Sequence, residues 1–182
     1  MKAQRRSSKI FSVLGRCLSA GLLIWVYSLN ATAQVDPREI APPPLKVVSK
    51  DELATLDTVR DVKKRTQTAL ELMSLRLKSA ETLIENDQLD EMYKQLGSFH
   101  GLMDNTLAFL DKSSGSGGKV LNNYKRFEMG LRQFRPRLEL IRRSIPVMYE
   151  PYVRNLITYL REARAKAVEP LFSDTVVPKN KP

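Results

Sequence analysis

The chain has 182 residues, of which 30 are Lys or Arg and 20 are Asp or Glu, and its formal net charge at pH 7 is +10. This length can supply one domain with a sizeable core and is too short for two ordinary domains. A single cysteine and a single histidine exclude an intramolecular disulfide and most multi-residue metal or catalytic sites that use these side chains.

The first 33 residues have the pattern of an export signal. They contain five bases and no acid, and the apolar run CLSAGLLIWVYSL is short for a membrane span. Ala31 and Ala33 are the small residues that a signal peptidase reads, so cleavage before Gln34 is predicted. A twin-arginine route and a retained anchor are the alternatives. Lipidation is disfavoured because Cys17 stands at the start of the apolar run and not after it.

Loss of this leader changes the character of the chain. It removes five of the 30 bases and no acid, which lowers the net charge from +10 to +5. It also removes Cys17, so the exported protein has no disulfide, thiolate metal site or cysteine nucleophile. The style of the leader predicts a periplasmic or secreted bacterial protein.

Residues 34–48, QVDPREIAPPPLKVV, are predicted to form an extended linker. The three consecutive prolines from Pro42 to Pro44 favour polyproline II and exclude a regular helix or strand. We interpret the segment as a spacer between the cleavage point and the domain. The alternative is a docking segment for a partner.

A helical domain is predicted over residues 49–170. Apolar residues recur at steps of three and four, which is the spacing of one buried face on an α-helix. This pattern predicts four helices, at about residues 50–85, 88–111, 119–143 and 150–168. Ser49 and Glu52 form a capping-box sequence at the start of the first helix.

The boundaries between these helices have different strengths. The stripe changes phase near residue 86, which predicts a tight turn with Asp87 as the next N-cap, and a single bent helix is the alternative. Ser113–Gly118 is a flexible loop. Pro136 lies inside the third helix, where we expect a kink, and Pro151 suits the first turn of the fourth. Residues 171–182 form a loose tail.

No segment alternates apolar and polar residues for long enough to predict a strand. The expected fold is therefore all-α: an antiparallel up-down four-helix bundle, preceded by a cleaved signal peptide and a proline-rich linker. Helix crossing angles near 20° are expected from the spacing of the stripes.

Catalysis is not predicted. The exported chain has one histidine, no cysteine, and no G-x-S-x-G, H-E-x-x-H, EF-hand or P-loop sequence. A site made only of carboxylates or lysines stays open. No metal site is predicted.

His100 is the one candidate cofactor ligand. Exported bundles can hold haem by axial His and Met ligation, and Met73, Met129 and Met148 are the available partners. We favour a packing role for these side chains, so no cofactor is predicted and haem is the alternative. The neighbouring Gly97 and Gly101 indicate either close helix packing or a contact site beside His100.

The third predicted helix carries the excess positive charge. Lys119–Arg143 contains eight bases and two acids, whereas residues 34–118 contain eleven bases and fourteen acids. The candidate partner-binding residues are Lys125, Arg126, Arg132, Arg135, Arg137, Arg142 and Arg143. The face is either solvated and partly neutralised by the acidic first hairpin, or a docking surface for an anionic partner.

The sequence therefore predicts an exported, non-catalytic protein that acts by binding or scaffolding in the cell envelope. The expected partner is an envelope protein, an anionic lipid or an acidic polymer, and nucleic acid is not expected because the aromatic residues of this helix lie on its apolar stripe. A homo-oligomer is an open alternative. The second functional hypothesis is a small-ligand or haem-binding bundle that uses His100 and a core methionine.

Overall fold

The computed structural model describes residues 40–113 and 118–172, with the side chains of residues 118 and 119 excluded. Several predicted features lie outside the described residues. They are the leader with its cleavage residues Ala31, Ala33 and Gln34, the first part of the linker, the centre of the Ser113–Gly118 loop, and the C-terminal tail from residue 173.

The described part of the chain is all-α, as the sequence predicted, with five α-helices and no strand. The helices are α1 (Lys50–Thr58), α2 (Val62–Glu85), α3 (Leu89–Lys112), α4 (Gly118–Ser144) and α5 (Glu150–Val168), followed by a 3₁₀ turn at Glu169–Leu171. None of these helices is both long enough and apolar enough to cross a membrane.

The prediction of one helix over residues 50–85 is wrong, because the chain breaks between α1 and α2. Val59 is extended, with φ −93° and ψ 97°, and the Asp61 carboxylate accepts a hydrogen bond of 2.8 Å from the Lys64 N–H to cap α2. An aspartate that bonds to nearby backbone amides favours a helix start over a helix interior. Arg65 then holds the end of α1 by donating to the Leu56 carbonyl at 2.6 Å.

Two local signals are confirmed. The Ser49 hydroxyl accepts from the Glu52 N–H at 3.2 Å, and the Glu52 carboxylate accepts from the Ser49 N–H at 2.9 Å, which completes the capping box. Pro151 lies in the first turn of α5. The α4 helix continues across Pro136.

The chain turns between α2 and α3, which excludes a single bent helix. The Gln88 N–H donates to the Leu83 carbonyl at 2.9 Å and the Asp87 N–H donates to the Ile84 carbonyl at 3.1 Å. This is the Schellman pattern, and it requires a left-handed residue at Asp87, where φ is 56°. Asp87 is therefore part of the α2 ending, and the prediction that it caps α3 is wrong, since Gln88 occupies that position without a side-chain hydrogen bond.

The helices form two antiparallel hairpins. In the first, Arg76 of α2 donates to Gln95 of α3 at 2.7 Å, and in the second, Arg164 of α5 donates to Glu128 of α4 at 2.9 Å. Where the two hairpins contact each other, the neighbouring helices run parallel. Residue numbers rise together along α2 and α4, where Leu70 faces Gly130 and Glu81 bonds to Arg137.

The parallel contacts correct the expectation that all neighbouring helices are antiparallel. Two contacts stabilise the parallel pair: the missing side chain at Gly130 admits Leu70, and Arg137 bonds to Glu81. The same direction is kept between α3 and α5, where Asp90 accepts from Tyr149 at 2.7 Å and Asp104 accepts from Tyr159. The core contains residues from all five helices and is apolar except for a few buried polar side chains.

Candidate binding sites

Residues 40–48, which we name the strap, form no helix or strand and lie against α3 and the residues just before α5. The Ala41 N–H donates to the Met148 carbonyl at 3.0 Å, and the Tyr93 hydroxyl donates to the Ala41 carbonyl at 3.4 Å. The predicted spacer is therefore wrong for this part of the linker, because its backbone is anchored on the helical domain. Neither a helix nor a strand forms in residues 40–48, as the proline run predicted.

Two glycines of α3 allow the strap to approach. A Cβ atom at Gly97 would overlap the Leu45 carbonyl oxygen and lie 3.1 Å from Pro44 Cβ. At Gly101 it would lie 3.0 Å from the carbonyl carbon and oxygen of Lys46. The two glycines thus allow another backbone segment to approach α3 closely, as one sequence hypothesis proposed. The approaching segment is the strap and not another helix.

Lys46 ties the strap to both α3 and α5. Its ammonium lies 3.1 Å from an Asp104 carboxylate oxygen and 5.1 Å from the centre of the Tyr159 ring. The Tyr159 hydroxyl donates to the other oxygen of Asp104. The Asp104 carboxylate of α3 therefore accepts hydrogen bonds from both the strap and α5, and it joins the three segments.

His100 is buried beside this junction. Its Nδ1 lies 3.3 Å from the Tyr152 hydroxyl, its ring centre lies 4.4 Å from that of Tyr159, and its Nε2 lies 3.9 Å from Asp104. Burial lowers the pKa of His100 to about 4, an effect that Asp104 opposes and Lys46 reinforces. The imidazole is therefore neutral at pH 7, and Nε2 has no hydrogen-bond partner in the described part of the chain.

Within the part of the chain that the structure describes, the polar and ring contacts of His100 are with Tyr152, Tyr159 and Asp104, and none of them is with a methionine. Met73 is fully buried on α2, Met129 is exposed on α4, and Met148 is exposed before α5 and faces the strap. In the described residues, no group of three or more His, Cys, Asp or Glu side chains is placed to hold a metal ion.

A pocket of about 820 Å³ opens between the strap, α3 and the two residues just before α5. We name it the strap pocket. Its walls are the apolar side chains of Ile40–Leu45 and Val47 on one side and Tyr93, Met148 and Tyr149 on the other. The rings of Tyr93 and Tyr149 meet edge to face, with their centres 4.9 Å apart. Asp90, Lys94 and Ser98 are its polar lining residues.

The strap pocket is not among the sites predicted from the sequence. Two signals for it were present, the proline run and the glycine pair one turn apart on α3. Neither signal predicts a pocket by itself, because no local pattern shows that the proline run and the glycine pair meet in the fold.

The predicted partner-binding bases divide into two groups. Arg137 and Arg142 are used within the fold: Arg137 donates to both oxygens of Glu81 at 2.7 and 2.8 Å, and Arg142 bonds to Glu139 and Glu150. Lys125, Arg126, Arg132, Arg135 and Arg143 form the second group and remain partly or fully exposed. In this group Arg126 bonds to Asn123 and Arg132 bonds to the buried Glu128.

The solvent face of α4 carries an unbroken row that we name the basic stripe. Its members follow one another at steps of three or four: Lys125, Met129, Arg132, Pro136, Leu140 and Arg143. The row contains three bases, two large apolar side chains and no acid. Among the described residues, Lys125 and Arg143 make no ion pair, and neither does the neighbouring Arg135. Met129 and Leu140 are 53% and 63% exposed.

No protein-family model, curated protein or solved structure matches the chain.

Proposed function

We propose that the protein is an exported, non-catalytic binding protein of the cell envelope, in which α2–α5 form a four-helix bundle that docks on an anionic lipid surface through the basic stripe. The observation that carries this proposal is the composition of the stripe: three bases and two exposed apolar side chains in one row, with no acid among them.

The distribution of ion pairs supports the choice of surface. Arg137 and Arg142, which lie outside the stripe, are neutralised by carboxylates of the same molecule. Among the described residues, Lys125 and Arg143 at the two ends of the stripe have no acidic partner, while Arg132 between them pairs with Glu128. Unpaired bases keep their attraction for external anions, and arginine forks onto phosphate oxygens.

The apolar members of the stripe favour lipid over an acidic polymer. Met129 and Leu140 are uncharged, so they gain no electrostatic attraction to an acidic polymer. On a membrane they can enter the boundary between headgroups and acyl chains while the bases contact phosphates. Each base held near an anionic membrane contributes about 1 kcal/mol. The stripe therefore predicts weak, salt-sensitive and reversible membrane binding.

Sedimentation with phosphatidylglycerol vesicles tests this proposal. The protein, produced from the full-length sequence, is expected to bind at low ionic strength and to dissociate as salt rises. The double substitution Lys125→Ala with Arg143→Ala removes about 2 kcal/mol of attraction, which is about a thirtyfold loss of affinity.

The matched control removes two exposed bases from α2, by Lys63→Ala with Lys78→Ala, and leaves the net charge equal to that of the test variant. Equal losses for the two variants would show that only net charge matters and would contradict a docking face. Binding to polyglutamate but not to vesicles would replace lipid with an acidic polymer.

A further inference from the structure

We infer that the strap pocket binds the hydrocarbon chain of a long-chain carboxylate, a site separate from the basic stripe. Ligand pockets in proteins commonly have volumes of about 300–1,000 Å³, are mostly apolar and contain a few polar groups. The strap pocket has a volume of about 820 Å³ and matches this description.

Its walls contain apolar side chains that the fold leaves open to water. Leu45 is 80% exposed and Val47 is 53% exposed, although both line the pocket, and Ile40 and Met148 are also exposed. Large apolar side chains gathered around one concavity indicate a surface that a ligand covers. The flexible thioether of Met148 can adapt to a chain of variable shape.

The strap wall suits a hydrocarbon better than a peptide. Pro42, Pro43 and Pro44 have no N–H group, and the Ala41 N–H is already bonded to the Met148 carbonyl. A peptide entering the pocket would leave its carbonyl groups without donors along this wall, which is unfavourable. A hydrocarbon chain has no such requirement.

The polar residues indicate the charge of the ligand. Lys94 is the one base that lines the pocket, and its present partner is Glu91, 2.6 Å away at the surface. Asp90 is already engaged by the Tyr149 hydroxyl at 2.7 Å. A ligand carboxylate can therefore replace the exposed Glu91 on Lys94, with Ser98 as a further donor, while the chain lies between the strap and the tyrosine pair.

The test is competition of palmitate with the neutral fluorescent probe N-phenyl-1-naphthylamine, in protein produced from the full-length sequence. We expect saturable probe binding that palmitate displaces. Leu45→Asp should weaken both ligands about tenfold or more, since it places a charge in the wall. Lys94→Gln should weaken palmitate but leave hexadecanol unchanged.

Leu75→Asp is the matched control, because it makes the same substitution at a leucine that is 58% exposed on α2. Circular dichroism verifies that both aspartate variants keep their helix content. Absence of saturable palmitate binding, or equal binding by the wild type and Leu45→Asp, would overturn the inference. So would an equal loss in Leu75→Asp. Vesicle sedimentation of Leu45→Asp separates this site from the proposed docking face, which should be unaffected.

Discussion

Substitution of the two α3 glycines should release the strap while the helices stay folded. In Gly97→Ala with Gly101→Ala, the new methyl groups would meet the Leu45 and Lys46 carbonyls. These are backbone atoms, so they cannot rotate away as a side chain does. The strap must therefore lift from α3, and its other contacts are lost with it.

The magnitude follows from those contacts. The hydrogen bonds of Ala41 to Met148 and to Tyr93 contribute about 1 kcal/mol each, and the exposed pair of Lys46 with Asp104 contributes about 0–1 kcal/mol. Docking is thus worth about 2–3 kcal/mol, which leaves the strap detached in roughly 1–3% of wild-type molecules. Alanine returns about 0.5–1 kcal/mol of helix stability at each position, so the free energy of unfolding of the domain changes little.

Limited trypsin digestion measures this equilibrium, because cleavage after Lys46 requires the strap to leave its site and its rate follows the detached population. We expect the rate to rise about thirtyfold or more in the double variant, in proportion to that population. Gly130→Ala on α4 is the matched control, since its new methyl group meets the ends of the flexible Leu70 side chain. An unchanged rate in the double variant, or an equal rise in Gly130→Ala, would refute the reasoning.

Three further predictions concern stability. The pKa of His100 is lowered to about 4 in the folded protein, against 6.5 in the unfolded chain. The stabilisation that the neutral imidazole gives the fold is therefore complete above pH 6.5 and is lost as the pH falls towards 4. Between pH 7 and pH 4.5, the free energy of unfolding measured in urea should fall by about 2–3 kcal/mol more in the wild type than in His100→Gln. Equal falls in the two proteins would contradict a buried neutral imidazole. Arg137→Ala should cost about 1.5–3 kcal/mol, because it leaves Glu81 without its paired bonds, whereas the exposed Arg132→Ala should cost less than about 1 kcal/mol; denaturant midpoints compare the two. Asp87→Gly should raise the thermal midpoint and Asp87→Val should lower it, because only glycine adopts the left-handed conformation freely, and the reverse order would contradict the turn geometry.

Local signals in the sequence were enough to predict the class of the fold and several helix ends. The capping box at Ser49 and the proline at position 151 act within one helical turn, so their sequence spacing contains the relevant physics. The break at Asp61 escaped prediction because Val59 and Val62 keep the three-residue step of the apolar stripe on both sides of it.

The candidate sites required tertiary contacts that no local pattern contains. The charge excess of α4 was visible in the sequence. The ion pair of Arg137 with Glu81, however, depends on the packing of α4 against α2, which the sequence pattern does not contain. The docking of the strap depends on two glycines that stand more than fifty residues from Ala41 or Lys46 along the chain. Sequence patterning predicted each segment and did not show that they meet.

The anchoring of Ala41 on Met148 also sets an order of events during synthesis of the chain. A chain emerges from its N-terminus, so the strap is among the first parts of the domain to appear, while its acceptor carbonyl lies just ahead of the last helix. The strap must therefore wait until α4 and Met148 have emerged before Ala41 can bond to its acceptor. During that interval its site on α3 is open, and any factor that accompanies the emerging chain can reach both surfaces before they join.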